Sequence, residues 1–130
     1  EISPSICNLE SLMYLDLSSN NLVGMIPSCL GSFSRFLQVL NFAENKLTGI
    51  IPQTYVKGNA LRFIDFSYNK LHGKLPRALV NSIDLSCNKI SGEIPDTMGS
   101  LNGLVVLNLS NNMFTGSIPS SFGKLSNLEV

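Results

Sequence analysis

Asp65 and Asp84 are the residues whose type and spacing first suggest chemistry. Each stands between two apolar residues, in Ile64-Asp65-Phe66 and Ile83-Asp84-Leu85. In a strand, such a carboxylate points away from the face its neighbours occupy. On adjacent strands the pair would stand about 5 Å apart, near the separation of a retaining glycosidase pair. Nothing in the chain completes such a site, because the same alternation leaves the carboxylates on an open face with no cleft to distort a sugar. His72, the single histidine, has no Ser or Cys in a triad arrangement. Cys7, Cys29 and Cys87 contain no C-x-x-C spacing and, with one His, make no metal set. No catalytic residue, metal or cofactor is expected.

The totals point the same way. The 130 residues carry nine basic and nine acidic side chains, a balance that argues against nucleic acid or an anionic membrane as the main partner. No apolar run approaches the roughly eighteen residues of a membrane span. No basic-then-apolar leader opens the chain at Glu1-Ile2-Ser3-Pro4.

The elements that must position these residues recur. The stretch Leu104-Val-Val-Leu107-Asn-Leu109-Ser-Asn-Asn112-Met-Phe114-Thr-Gly116-Ser-Ile118-Pro119 has the skeleton L-x-x-L-x-L-x-x-N-x-L-x-G-x-I-P. Four more copies begin at Leu12, Leu37, Leu61 and Val80, and every skeleton position holds the expected residue or an apolar stand-in. Such self-similarity is the signature of a solenoid. The alternating apolar pair builds a short strand, and successive strands stack in parallel at about 4.8 Å. Strand centres fall on Leu15, Leu40, Ile64, Ile83 and Leu107. The Asn of each copy leaves the strand at a turn, where its amide can satisfy inward-facing backbone groups of neighbouring coils. A ladder of Asn20, Asn45, Asn69, Asn88 and Asn112 results. The Gly admits positive φ or close approach, and the Pro ends strand pairing. After Pro27, Pro95 and Pro119, apolar residues recur at every third position, which predicts a helical turn on the convex side. Gly31, Gly99 and Gly123 are placed to end those turns. The copy around Tyr55 to Gly58 departs from this and is expected to be irregular.

The three cysteines occupy different positions of the repeat, so stacking is expected to leave them unpaired as small apolar residues near the core. The centre-to-centre steps are 25, 24, 19 and 24 residues, so the third copy is short, with the loss between Pro76 and Ile83. Either the return segment is shorter there, or Asn81-Ser82 marks a deletion or island junction. Residues 1–8 read as the tail of an earlier repeat and 125–130 as the start of a sixth, with no polar cap at either end. That reads as a piece of a longer array, with uncapped ends that favour association.

The skeleton resembles the leucine-rich repeat family, and its G-x-I-P ending is similar to the plant extracellular subfamily. The wording Ser82-Ile-Asp-Leu-Ser-Cys-Asn-Lys-Ile-Ser-Gly-Glu-Ile-Pro95 is most similar to receptor-like proteins. The resemblance implies an α/β repeat solenoid over residues 1–130, a right-handed superhelix with a parallel sheet on the concave face and short helical turns on the convex face. It implies a non-catalytic ectodomain piece of a plant cell-surface receptor-like protein, in defence or signalling perception, extracellular at the plasma membrane or secreted. A protein or peptide ligand and a co-receptor are then the expected partners, with no small-molecule substrate and no membrane contact by this segment. The rival class is a secreted inhibitor of a cell-wall-degrading glycosidase.

The outward strand residues form columns. Asp16, Asn41, Asp65, Asp84 and Asn108 make one, and Tyr14, Val39, Phe63, Ser82 and Val106 the next. Arg62 lies in a third, with Met13, Gln38, Asn81 and Val105. An apolar column beside a polar one resembles an interface core and its rim. Tyr14, Asp16, Val39, Asn41, Arg62, Phe63, Asp65 and Asp84 are therefore the candidate partner-binding residues. Asn108-Leu109-Ser110 is an N-x-S sequon, so Asn108 is the candidate glycan acceptor, although the same wording also arises from the repeat itself.

Overall fold

A strand residue that alternates with apolar neighbours buries one side only, and five such segments must find one another to share a core. The computed structural model describes residues 1–53, 60–77 and 80–129. Its strands in chain order are β1 (Tyr14–Asp16), β2 (Val23–Met25), β3 (Val39–Asn41), β4 (Lys46–Thr48), β5 (Phe63–Asp65), β6 (His72–Gly73), β7 (Ser82–Asp84), β8 (Lys89–Glu93), β9 (Val106–Asn108) and β10 (Met113–Thr115).

The odd-numbered strands form one parallel sheet in the order β1-β3-β5-β7-β9. Its register aligns Leu15, Leu40, Ile64, Ile83 and Leu107, the expected centres. Leu40, Ile64 and Ile83 are buried behind it, and the Phe42 and Phe66 rings stack within the core at 5.4 Å. The short third copy still delivers β7 in register between β5 and β9, with the N–H groups of Asn81 and Ser82 both donating to the Arg62 carbonyl. Val80 is buried there. Leu79 and the irregular turn expected at Tyr55 to Gly58 lie outside the described residues.

The convex side carries 3₁₀ turns at Pro4–Asn8, Ser28–Gly31, Asp96–Ser100 and Ser120–Lys124. The last three follow Pro27, Pro95 and Pro119, in keeping with the three-residue spacing. Gly99 and Gly123 lie inside their turns, which run on to Ser100 and Lys124 and are capped by Leu101 and Leu125, so their expected role as terminators is corrected. A Cβ at Gly99 would overlap the Ser121 side chain and come 2.6 Å from the Ser121 carbonyl oxygen. Close packing of neighbouring turns, not backbone freedom, requires that glycine.

A second parallel layer was not foreseen. β2 pairs with β4, β6 with β8, and β8 with β10, and a bridge joins Ile50 to His72. These strands use the L-x-G segment, and all end before the proline of their copy. Here the stacking slips. The repeat equivalent of Gly24 is Gly49, yet Gly24 faces Leu47. His72 faces Lys89, two residues short of its equivalent Ser91. The concave sheet has no such offset.

The same slip corrects the cysteine expectation. Cys7 and Cys29 are disulfide-bonded, with Cα atoms 6.1 Å apart. With Ile2 matched to Ile26, the repeat equivalent of Cys7 is residue 31, so equal repeat position would leave the two sulfurs two residues out of step. The convex turns stack with a two-residue slip, as Gly99 and Ser121 do, and this brings Cys29 opposite Cys7. Cys87 is free.

The asparagine ladder joins coil to coil. Asn69 Oδ1 accepts from the Leu47 N–H at 2.9 Å, and its Nδ2 donates to the Phe42 carbonyl at 2.9 Å, both on the preceding coil. The same Nδ2 reaches the Phe66 and Ser67 carbonyls of its own coil. Asn45, Asn88 and Asn112 repeat the set. Asn20 is exposed and reaches only its own coil, at Leu17 and Ser18. Gripping the carbonyls two and three residues back forces a tight turn, and the residue between is left-handed: Ser19, Glu44, Tyr68, Cys87 and Asn111 all have φ of 54 to 56°.

Removing the Asn69 amide strands a buried donor and acceptor, each worth about 1–3 kcal/mol, so Asn69→Ala should cost roughly 3 kcal/mol while Asn20→Ala costs under about 1. Equal shifts in urea midpoint for the two would contradict the ladder. In the same assay, reducing the Cys7–Cys29 bond, which closes a 22-residue separation, should lower stability by about 3 kcal/mol.

Candidate functional site

In a parallel sheet, outward residues of like register stand one above another at the strand spacing. The concave sheet therefore shows the expected columns. Tyr14 is 60% exposed and donates its hydroxyl to Gln38 Oε1 at 3.3 Å. Val39 and Phe63 are half-buried, Val106 is exposed, and Arg62 beside Phe63 is exposed. No strand, turn or helix among the described residues covers this face.

The Asp/Asn column has a structural task that the sequence reading did not assign. Each side chain accepts the N–H two residues on, so each closes the turn out of its strand. Asp16 Oδ1 takes the Ser18 N–H at 2.9 Å, and Asp65 and Asp84 take those of Ser67 and Ser86 at 2.9 Å. Asn41 and Asn108 do the same for Ala43 and Ser110. The signal was present in the recurrent wording of an Asp or Asn between two apolar residues, followed by Ser in four copies and Ala43 in the other, where the short polar residue makes an Asx turn. Asn41 also donates to Asp16 at 3.2 Å, and Asn108 to Asp84 at 3.0 Å. The Ser18 hydroxyl and N–H, with a smaller part from Asn41, hold the Asp16 carboxyl below its usual range.

Asp65 and Asp84 are register partners, so their carboxylates do stand side by side. Both are half-buried on the open sheet, with one oxygen each committed to a backbone N–H. That is the geometry of two turn caps, not of an acid and a base about a cleft. His72 lies in β6 of the other layer.

A further column was missed, that of the left-handed residues. The Ser19 hydroxyl donates to Glu44 at 2.8 Å. The Tyr68 phenol is pushed above its usual range, first by its side-chain hydrogen bond with Cys87 and then by charge repulsion from the Cys87 sulfur, desolvation, Asp84 and Glu44. Only the turn geometry, absent from any linear pattern, brings these side chains to the edge of the strand face.

Comparison with known proteins agrees with this architecture. The leucine rich repeat family pattern matches residues 10–71 and 78–130. Receptor-like protein 35 of Arabidopsis thaliana is 39% identical over 114 residues, covering 84% of this chain and 12% of that protein. Receptor-like protein EIX2 of Solanum lycopersicum is 33% identical over 121 residues, covering 72% of this chain and 12% of that protein. The chain thus spans about an eighth of the length of these relatives. Among solved structures, PEPR1 in its complex with AtPEP1 superposes with a TM-score of 0.91 at 34% identity, over 98% of this chain and 18% of that one. The Arabidopsis receptor kinase HAESA, in complex with the peptide hormone IDA and the co-receptor SERK1, superposes with a TM-score of 0.85 at 32% identity, over 96% of this chain and 22% of that one.

The turn caps predict a graded result. Ser67 keeps its N–H partner in Asp65→Asn but loses it in Asp65→Ala, so the alanine variant should be less stable by about 1 kcal/mol and the asparagine variant should not. Equal losses in thermal or urea unfolding would remove the turn-cap role.

Proposed function

The chain belongs to the leucine-rich repeat family, and from that premise we propose that it is a non-catalytic, ligand-recognising part of a plant receptor-like protein's extracellular region. Its strand face takes a peptide or protein, and a co-receptor joins the assembly to report that event in defence or signalling. The observation that carries this reading is the uncovered concave sheet, where Tyr14, Val39, Phe63 and Val106 make an apolar column beside Asp16, Asn41, Asp65 and Asp84. A partner can bury the aromatic column while the polar column forms a satisfied rim. Of the receptors to which the chain is similar, HAESA holds the peptide hormone IDA together with the co-receptor SERK1. No helix among the described residues is long and apolar enough to cross a membrane.

The test places a photo-crosslinking residue at Phe63 in the full-length protein expressed in plant cells, with Ile50 of the second layer as the comparison site. Capture of a peptide or protein ligand from position 63 and not from position 50 is the expected result. Capture from position 50 alone would move the site off the strand face. Tyr14→Ala with Phe63→Ala should weaken ligand binding at least tenfold without altering the fold, because aromatic anchors carry a large share of interface energy.

Asn108 is proposed as a glycan acceptor on the same face. Its Nδ2, the atom a glycan would take, now donates to Asp84. A glycan there would cover the β9 end of the face and leave the β1 to β7 columns for the ligand. Mass spectrometry of the plant-expressed protein before and after deglycosylation should show the loss of one glycan from the peptide containing Asn108, and an unmodified Asn108 would end this assignment.

A further inference from the structure

The charges of this chain are segregated. It carries nine acidic and nine basic residues in all. The strand face and its left-handed edge hold Asp16, Glu44, Asp65 and Asp84 against the single Arg62. Lys46, Lys70 and Lys89, at matching positions of successive coils, are exposed on the other side of the asparagine ladder. No ion pair joins a member of one set to a member of the other among the described residues. A field of one sign over an uncovered face selects partners of the opposite sign.

The fold does not need all of that negative charge. Asn41 and Asn108 close the same turn with an amide that the aspartates close with a carboxylate. Asp65 and Asp84 are direct cross-strand neighbours, and like charges placed so are destabilising. Asn41 donates to Asp16 and Asn108 to Asp84, whereas the second oxygen of Asp65 has no partner among the described residues. Its carboxylate faces the open side of the sheet, two residues along the strand from the half-buried Phe63.

Resting on the strand-face reading above, we propose that the occupant is an extended peptide with a basic residue two positions from an apolar one, the basic group between Asp65 and Asp84 and the apolar group on Phe63 and Val39. Same-side residues of an extended peptide recur at roughly 6.6 Å, which is also the step from Phe63 to Asp65 along β5. A guanidinium matches the paired carboxylates, and its stem covers the aromatic ring. A lysine serves the same place with a weaker geometric fit.

Three libraries of extended decapeptides, sharing Leu-x-Arg, Leu-x-Gln or Leu-x-Glu at the centre with other positions random, test this on the immobilised intact protein. The Arg library should be retained at least tenfold better than the Glu library, and the preference should shrink as NaCl is raised toward 1 M. Asp65→Asn with Asp84→Asn should abolish the preference, while Lys89→Ala should leave it unchanged. Equal retention of all three libraries, lost in Tyr14→Ala with Phe63→Ala, would overturn the charge inference and keep the strand-face reading. Retention of the Arg library untouched by either pair of changes would overturn both, as would retention of none. Asp65→Asn should leave the thermal midpoint unchanged or raise it, and a clear fall would show that the carboxylate serves the fold.

Discussion

The interior coils of this molecule have turns whose inward backbone groups face other coils and not water, and a buried backbone donor or acceptor left unpaired costs about as much as a lost hydrogen bond. The asparagine ladder answers that constraint. One amide accepts from the coil before it, donates to that coil, and donates twice within its own. No other side chain of that size has both functions on one rigid plane. The left-handed residue before each asparagine is a consequence of the grip. A conformation that is unfavourable for Glu44 or Tyr68 alone is held because four hydrogen bonds over-determine it. Asn20, in the first coil described, shows the same grip on its own coil.

Coils pinned at the ladder and aligned in the concave sheet are still free to slip elsewhere. The second layer and the convex turns both slip by two residues per coil. At roughly 3.3 Å per strand residue, this displaces the second layer of each coil by about 6.6 Å relative to the concave sheet. A stack with aligned strands on one side and slipped strands on the other must twist. The disulfide and the Gly99–Ser121 contact both follow from that twist, although they lie at opposite ends of the chain.

On the strand face, the column that closes the turns still leaves atoms for the recognition proposed above. Closing a turn needs one acceptor oxygen, which aspartate and asparagine both supply. The second atom of the side chain is then free to vary. In two places it is an amide that donates to the neighbouring carboxylate, and in others it is a second oxygen facing solvent or the next coil. A repeat protein can therefore change the charge of its binding face while keeping every turn.

Much was legible in the sequence because it depends on local period. Leu15, Leu40, Ile64, Ile83 and Leu107 were placed by alternation, the outward columns by the same alternation, and the 3₁₀ turns by the three-residue spacing after proline. The exchange of hydrogen bonds by the ladder asparagines between coils was also readable, since their spacing matches that of the strands. What linear position could not reveal is how far one coil slides on the next. That is set by the combined packing of every layer, and no single repeat contains it. It decided that Cys7 meets Cys29, that the L-x-G segments pair as a second layer, and that Gly99 is a contact and not a terminator. The turn-closing use of Asp16, Asp65 and Asp84 lay between the two. Its residues were visible in the repeat wording, but the direction of each side chain, back to its own backbone or out to a partner, was decided only when the strands were assembled.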